Sequence, residues 1–424
     1  MSIRVLKDKR ILLGVTGGVA AYKAAFLASR LTQAGAVVDV VMTEAATRLV
    51  APLTFQAVTQ REVHTDLFVL PPETKPDVRA GAIHIPHIAL AKAADLLLVA
   101  PATANTIARL VHGLADNLLT SIALASPAPL LVAPAMESGM WAHAATQANI
   151  ATLVARGATL VGPAAGHLAS GAAGVGRMSE PEEILEMARV VLGRGGDLAG
   201  RRVVVSAGGT REAIDPVRFV GNRSSGKMGY ALALAARDRG ARVILVTAAG
   251  LPDPVGVETL RVESAAEMCA AVLAMGDGAD ALVMAAAVAD YHPAQVAAQK
   301  IKKTGDELTL HLARTADILT EVARQREAGR GPKLTVGFAA ETQDLLSNAR
   351  AKLQRKRLDL IAANNVTAAD AGFAVDTNRV TLLGADGSAE PLPLMSKDDV
   401  AHEIWDRVVR LLGHQGPTER ETGE

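Results

Sequence analysis

The feature that most constrains the fold is an alternation of two hydrophobic periods along the whole chain. Apolar runs of strand length fall at Ile11–Val15, Val37–Met42, Asp95–Ala100 and Leu130–Ala133. Ala-rich stretches of helical period, such as Val19–Gln33 and Thr103–Val111, lie between them. Near-continuous apolar strands joined by helices are the mark of a mostly parallel sheet covered on both faces. After a Gly-rich polar stretch, Gly193–Arg202, the alternation starts afresh at Arg202–Ser206. It continues at Arg242–Val246, Ala281–Ala285, Lys333–Val336 and Leu358–Ala362. The expected fold class is therefore α/β, with two doubly wound, mostly parallel-sheet domains of Rossmann-like or flavodoxin-like type. The expected boundaries are 1–192 and 202–412, with 193–201 as a linker and 413–424 as a disordered tail. A length of 424 residues accommodates two such domains.

Charge narrows the partners. Lys plus Arg and Asp plus Glu each number 44, so no basic face for nucleic acid or a membrane surface is indicated. No run approaches the roughly 20 apolar residues that span a bilayer. The opening, MSIRVLKDKRILLGVTGG, has too short an apolar stretch for a signal peptide and no small-residue cleavage site. Cys269 is the single cysteine, which excludes an intrachain disulfide and fits a reducing cytoplasm.

Both halves begin with a strand and a Gly-rich turn, GVTGG and SAGGT. Gly14–Lys23 follows the first strand and opens a helix. Glycines let a backbone approach a phosphate, and a helix N-terminus offers N–H groups and a favourable dipole. The run is not GxGxxG, so a mononucleotide is favoured over a dinucleotide; a plain βα turn is the alternative. Pro101–Thr106 (PATANT) also follows a strand, at the carboxyl edge where open α/β sheets bind ligands. Its hydroxyls suit a flavin ring or phosphate, and Thr103 equally suits a helix N-cap. Ala115–Thr120 (ADNLLT) follows within one helical length.

In the second half the most specific run is Asp215–Gly229 (DPVRFVGNRSSGKMG). Its SSGK resembles a P-loop ending, but the upstream GxxxxGK spacing is missing, which rules out Walker A. A Ser/Gly turn opening a helix over Gly226–Arg239 makes either an anion nest or a capped helix start. Further along stand Ala285–Tyr291 (AAAVADY), Lys300–Lys303 (KIKK), Thr315–Leu319 (TADIL) and Gly337–Thr342 (GFAAET). Lys352 and Lys356, four apart on an expected helix, point one way.

From about Arg10 to about Leu412 these motifs, with Thr43 after the second strand, resemble one family. It is the bifunctional phosphopantothenoylcysteine decarboxylase/phosphopantothenate–cysteine ligase family. The resemblance implies an FMN site made by Gly17, Gly18, Val19, Thr43, Ala102, Thr103 and Asn105. That site would be shared between subunits of a trimer, with a dimeric ligase half and a dodecamer as one way of combining the two. His87 matches the family's histidine by its spacing to Leu90–Asp95, and His84 is its neighbour. An imidazole exchanges a proton near neutral pH while the flavin oxidises the cysteinyl thiol to a thioaldehyde, the electron sink for decarboxylation.

Two positions depart from the family pattern. Pro-x-Met-Asn-x-x-Met-Trp reads PAMESGMW here, so Glu137 replaces an amide that donates to the substrate carboxylate. Ala-Cys-Gly-Asp/Glu-x-Gly-x-Gly-Arg reads ASGAAGVGR, so Ser170 replaces a thiol acid. Gly171, Gly174, Gly176 and Arg177 persist, and Arg177 suits a phosphate or carboxylate. Three accounts follow: a decarboxylase working with substituted groups, one that stops at the enethiol, or a scaffold.

In the ligase half the resemblance places Asn222 on an acyl-cytidylate intermediate with Arg218 beside it. Lys300 would neutralise phosphates and activate the substrate carboxylate. CTP would be held by Ala285, Ala286, Asp290, Lys300, Asp317, Ile318, Leu319, Phe338, Lys352 and Lys356, with Mg²⁺. Ala316 stands where proline is usual. The implied pathway is ligation of 4′-phosphopantothenate to cysteine, then decarboxylation to 4′-phosphopantetheine. The alternative is a ligase whose first half is an impaired flavin-binding assembly or regulatory module. A nicotinamide reductase is disfavoured by the lack of GxGxxG.

Overall fold

In a computed structural model, the structure describes residues 3–68, 86–302, 308–341, 344–365 and 375–414. Contacts divide the chain into two compact units, Met1–Gly193 and Arg194–Glu424.

The first unit holds a parallel sheet of β1 (Arg10–Val15), β2 (Val37–Met42), β3 (Val63–His64), β4 (Leu96–Ala102), β5 (Leu130–Pro134) and β6 (Thr159–Leu160). Its order is β3-β2-β1-β4-β5-β6, so the strand order reverses between β1 and β4. The two-residue period sends Ile11, Leu13 and Val15 to one face, against helices Ala21–Gln33 and Pro181–Gly193. Leu12, Val41, Leu97 and Val132 go to the other, against helices Ala104–His112, Leu118–Ala125 and Ala144–Ala155. An antiparallel hairpin, β7 (Ala164–His167) and β8 (Ala173–Arg177), lies outside the sheet.

The second unit begins with β9 (Arg202–Ala207) and a ribbon of β10 (Arg211–Ala213) and β11 (Phe219–Gly221). Then come β12 (Arg242–Thr247), β13 (Glu258–Arg261), β14 (Ala281–Met284) and a second ribbon, β15 (Tyr291–Pro293) with β16 (Leu312–Arg314). They are followed by β17 (Leu334–Glu341), β18 (Leu360–Asn365), β19 (Thr377–Asn378), β20 (Val380–Gly384), β21 (Ala389–Pro391) and β22 (Met395–Ser396). The main sheet runs β13-β12-β9-β14-β17-β18-β20-β21, reversing between β9 and β14. It is parallel up to β18 and antiparallel from β18 to β21.

One face of this sheet (Val203, Val205, Val283, Val336, Ala362) packs on helices Lys227–Asp238 and Lys397–His414. Trp405, fully buried, donates its indole N–H to the Leu232 carbonyl at 2.8 Å and ties those two helices together. At Gly229 a Cβ would lie 2.5 Å from the Ala207 Cβ, so glycine lets the first of them close on β9. The other face (Val204, Ile244, Leu282, Ile361) packs on helices Ala265–Gly276, Ile318–Glu327 and Leu345–Arg355.

Several local expectations change. The first helix starts at Ala21, not Val19. β4 runs through Pro101 and Ala102, where the pairing with β5 shifts register, a place where a strand tolerates proline. β17 continues to Glu341, past the expected end at Val336, so Phe338 sits in the strand. Of the expected linker, Gly193 ends helix Pro181–Gly193 of the first unit and residues 194–201 belong to the second. Leu198 is fully buried in its core, and Arg239 binds the Asp197 carboxylate. His414 still belongs to the last helix, and the rest of the expected tail lies outside the described residues. Among the described residues no helix is long and apolar enough to cross a membrane.

Candidate functional site

In the first unit the sites cluster at the carboxyl ends of β1, β2, β4 and β5. Thr16, directly after β1, donates its hydroxyl to the Pro101 carbonyl at 2.6 Å and accepts from the Thr103 N–H at 3.1 Å. The glycine turn and PATANT are thereby joined across the point where strand order reverses. A Cβ on Gly17 would lie 2.4 Å from that of Ala45, so the turn runs tight against the residues after β2. Thr43 and Thr103 both act as helix N-caps, accepting from the N–H groups of Ala46 and Thr106. Gly17, Val19 and Asn105 are exposed, Gly18 is half-buried and Ala102 lies buried in the sheet.

His87 lies in the first turn of helix Pro86–Ala93, which feeds β4. A helix that feeds a parallel strand starts at the carboxyl edge, so His87 shares that edge with Thr43 and Thr103. Its Nδ1 is buried and has no partner among the described residues. A helix N-terminus beside a tight glycine turn, small side chains and an unpartnered imidazole nitrogen fit a phosphate-bearing flavin that needs a proton exchanger. His84 lies outside the described residues.

Glu137 N-caps helix Ser138–Ala142. Its carboxylate accepts from the Ser138 hydroxyl at 2.8 Å and from the Gly139 N–H. These bonds, Ser138 first, hold its carboxyl below the ordinary range, which opposes the protonated form. The Met136 N–H donates to the Gly176 carbonyl at 2.9 Å, stitching the β7–β8 hairpin to the Glu137 turn. A Cβ on Gly176 would lie 2.2 Å from the Met136 carbonyl oxygen, so the hairpin requires glycine there. Arg177, expected to bind substrate, ion-pairs with Glu180, which also takes Lys23 at 2.9 Å. Ser170 is exposed between the two hairpin strands. Sequence reasoning gave Thr16, Lys23 and Glu180 no role; Thr16 and Lys23 lie within the Gly14–Lys23 segment, and Glu180 carried no local signal.

In the second unit a cavity of about 940 Å³ opens at the carboxyl edge, at the reversal between β9 and β14. Asn222, Ala285, Ala286 and Asp290 line it, as do Asp317, Ile318, Leu319 and Phe338, and Lys352 and Lys356. The Asn222 amide donates to the carbonyls of Ala287 at 3.2 Å and Val288 at 3.0 Å, which fixes it on the cavity wall. Thr315 joins two lining segments, donating its N–H to the Asp290 carbonyl at 3.0 Å and its hydroxyl to that of Ala289 at 2.6 Å. Lys352 donates to the Phe338 carbonyl at 2.7 Å. Lys356 binds the Asp317 carboxylate at 2.5 Å, and Asp317 caps helix Ile318–Glu327. Burial pushes the Asp317 carboxyl up, but the Lys356 ammonium and the Thr320 N–H outweigh it and hold it low.

Arg218 and Lys300 stand apart from this lining. Arg218 pairs with buried Asp215 and donates to the Ile301 carbonyl at 2.7 Å, while the Ile301 N–H donates to Asp215 at 3.2 Å. Burial raises the Asp215 carboxyl, but the Val217 N–H and the Arg218 guanidinium outweigh it and keep it ionised. Arg218 thus pins the backbone beside exposed Lys300 instead of facing the cavity. Lys303 lies outside the described residues. Lys227, Asn364, Asn378 and Lys397 also line the cavity; of these only Lys227 fell in a motif, SSGK. Among the described residues no group of three or more His, Cys, Asp or Glu is placed to hold a metal.

The family described as Flavoprotein matches residues 2–192. The DNA/pantothenate metabolism flavoprotein C-terminal domain family matches residues 198–412. The chain is 48% identical over 416 residues to the coenzyme A biosynthesis bifunctional protein CoaBC of Bacillus subtilis (strain 168), covering 97% of this chain and 99% of that one. The protein of the same name from Mycobacterium tuberculosis (strain H37Rv) is 48% identical over 417 residues, covering 95% and 97%. Among solved structures, the C-terminal domain of a CoaBC protein aligns with a TM-score of 0.44 at 39% identity, over 52% of this chain and 99% of that one. A PPC decarboxylase variant complexed with pantothenoylaminoethenethiol aligns with a TM-score of 0.38 at 34% identity, over 43% and 98%. The chain belongs to the family of coenzyme A biosynthesis bifunctional proteins, CoaBC.

Proposed function

We propose that residues 202–412 join 4′-phosphopantothenate to cysteine with CTP, and that residues 1–192 decarboxylate the product with FMN. The observation that carries this reading is the cavity at the β9/β14 reversal, on which most of the expected nucleotide ligands converge. Its volume lies near the upper end for small-molecule sites, which suits two substrates side by side. In the first step the 4′-phosphopantothenate carboxylate attacks the α-phosphate of CTP and pyrophosphate leaves. In the second, the cysteine nitrogen attacks the acyl carbon and CMP leaves. Asn222, fixed by two carbonyls, holds the acyl-cytidylate, and Phe338 faces the cytosine. Asp317 is engaged by Lys356, so Asp290 is the lining carboxylate left to face Mg²⁺, which would spread phosphate charge when bound.

In the first unit FMN supplies a two-electron oxidation of the cysteinyl thiol. The chain's own part is to bind phosphate at the turn joined by Thr16 and to move a proton at His87. The complete assembly is a homo-oligomer with a trimeric flavin half and a dimeric ligase half, in the cytoplasm. Purified protein is expected to be yellow, with about one FMN per chain, and to form 4′-phosphopantothenoylcysteine only with CTP. Colourless protein that takes up no FMN on reconstitution, or ligation indifferent to CTP, would overturn the respective half.

Ionised Glu137 and the weakly acidic Ser170 favour a second reading, a flavin-binding module on an active ligase. Carbon dioxide release from 4′-phosphopantothenoylcysteine separates the two.

A further inference from the structure

The carboxyl edge of the second unit's sheet holds another cavity, an open cleft of about 460 Å³ at the ends of β12 and β13. β12 neighbours β9 on the side away from β14, and among the described residues the cleft shares no lining residue with the ligase cavity. Thr247, Ala248, Ala249 and Val262 give it small, mostly apolar walls.

Four charged side chains also line the cleft, Arg211, Arg261, Glu263 and Glu267, and two of them are already spent. Arg261 donates to the carbonyls of Ala249 at 2.9 Å and Leu251 at 2.7 Å and pairs with Asp253 at 2.6 Å. Glu267 accepts from the N–H groups of Glu263 at 2.7 Å and Ser264 at 3.3 Å, closing the capping box of helix Ala265–Gly276. Buried Glu212 takes the Ala265 N–H at 2.9 Å, so the start of that helix is satisfied from within. Arg211 and Glu263 remain. The Arg211 N–H donates to the Glu263 carbonyl at 2.9 Å, which holds the two residues side by side. The Arg211 guanidinium lies over the Phe219 ring, 5.1 Å from its centroid, which orients the cation without neutralising it. Neither side chain has an ion-pair or hydrogen-bond partner among the described residues, each other included.

A guanidinium and a carboxylate kept adjacent yet unpaired, beside small apolar walls, match a small zwitterion that carries the opposite charges. We propose that this cleft is a second small-molecule site of the ligase unit and takes an α-amino acid with a small side chain. Its carboxylate pairs with Arg211 and its ammonium with Glu263. Ala249 gives the site reach into the ligase cavity. A Cβ on Gly226, which lines that cavity, would lie 2.5 Å from the Ala249 Cβ, and one on Gly208 would lie 2.5 Å from the Ala249 N. One residue thus separates the cleft from the turn that opens helix Lys227–Asp238. Occupancy of the cleft therefore acts on nucleotide binding through Ala249, and this part alone rests on the ligase reading.

The test uses full-length protein and ligand-observed NMR with L-alanine as the probe. Binding through two exposed charge pairs is expected at a Kd of about 1–10 mM. Arg211→Gln and Glu263→Gln, both at exposed positions, should each weaken it about fivefold. N-acetyl-L-alanine lacks the ammonium, so its binding should suffer in Arg211→Gln and not in Glu263→Gln. L-Alaninamide lacks the carboxylate and should show the reverse. Equal binding of L-alanine by all three proteins, or none by wild type at about 20 mM, would overturn the proposal. L-Cysteine displacing the probe more strongly than L-serine assigns the cleft to the ligase's own co-substrate, and equal displacement assigns it to small amino acids at large. With cysteine saturating, L-alanine should change the CTP KM about twofold in wild type and leave it unchanged in Arg211→Gln. Charge-dependent binding with no such change would overturn the reach through Ala249. Charge-dependent binding by protein that ligates nothing would leave the site standing and remove the ligase reading.

Discussion

The two units build their sites at the same place in the same kind of fold, but to different degrees of closure. In the second unit, residues from both sheet faces line one cavity, and several are already held by bonds, as Lys356 is to the Asp317 carboxylate and Asn222 to the Ala287 carbonyl. In the first, Gly17, Asn105, Glu137, Ser170 and Arg177 stand exposed on turns and a hairpin. A walled cavity fixes its donors before a ligand arrives, so geometry alone narrows the chemistry. An exposed edge leaves that fixing to the cofactor or to a neighbouring copy, and geometry says less.

The sharpest challenge to this contrast is Lys300, which is expected to act in the ligase yet stands exposed outside the cavity lining. If the Asp215–Arg218–Ile301 clamp delivers it to the phosphates, Lys300→Gln should cut ligation by two to three decades or more, at a charge-stabilising position of this type. FMN should stay bound, since the residues proposed to hold it belong to the other unit. Ligation at the wild-type rate would return Lys300 to a solvated basic cluster.

The next test asks whether the exposed edge of the first unit still works. Glu137 is ionised and accepts rather than donates, and Ser170 is a weak acid. Wild-type decarboxylation should therefore be slow and depend on His87, so that His87→Asn abolishes it. Glu137→Asn with Ser170→Cys should raise the rate by about two decades, as donors acting on a transition state commonly do. Mass analysis of products decides. Full-speed 4′-phosphopantetheine from wild type means other groups replaced the donors, and no carbon dioxide from either protein favours the module.

What was legible in the sequence follows the same division. The sheets could be read because each strand alternates between two helix-covered faces over several residues, as Ile11–Val15 and Val203–Ala207 do. The ribbons β7–β8, β10–β11, β15–β16 and β19–β22 were not, because two to five residues carry no measurable period. Leu198 was the one apolar signal against a linker at 193–201, and its burial depends on a core assembled from distant residues. Lys397 lies far in sequence from every motif. It joins the cavity only because its helix packs beside Lys227–Asp238, a tertiary fact without local trace. The Thr16 bridge is similar: Thr16 and Pro101 both lay in motifs already in view, GVTGG and PATANT, but nothing local pairs residues 85 positions apart.

A smaller effect probes how far the ligase cavity is pre-organised without ligand. Asp317 has its folded pKa depressed, against burial, by Lys356 and Thr320. A group of this kind adds stability above its unfolded pKa of about 3.9 and loses it as pH falls through the lower folded value. Its side chain is half exposed, so screening limits the worth of the pair to about 1 kcal/mol. Asp317→Asn should therefore lower Tm by about 2–4 °C at pH 7. The gap should close below about pH 4, where the wild-type carboxylate takes up its proton. An equal gap at low pH would mean that the asparagine disturbs the N-cap rather than the charge.

The smallest effect separates two meanings of the Arg177 ion pair. The Glu180 carboxyl is held low first by its bond to Lys23, against a weaker opposing effect of burial, with Arg177 adding to it. Arg177 and Glu180 are exposed at the end of the hairpin, where their pair is worth about 0.5 kcal/mol or less and fades with salt, while Lys23 reaches Glu180 from helix Ala21–Gln33 with its side chain mostly buried. The Arg177 pair should thus contribute little to any stability change in Glu180→Gln. Function distinguishes the cases. If Arg177 is a substrate ligand, freeing it from Glu180 should lower the decarboxylation KM about twofold, and Arg177→Gln should raise it. If Arg177 only pins the hairpin, both variants remove the same contact, so their effects have the same sign and the double variant adds nothing. A double-mutant cycle on KM, run at low and moderate salt, reads this sign directly. Opposite signs would show that the exposed edge holds a ligand waiting for its substrate. Equal signs would make it a hinge for Gly176 and Met136, leaving phosphate recognition in the first unit to the turn joined by Thr16.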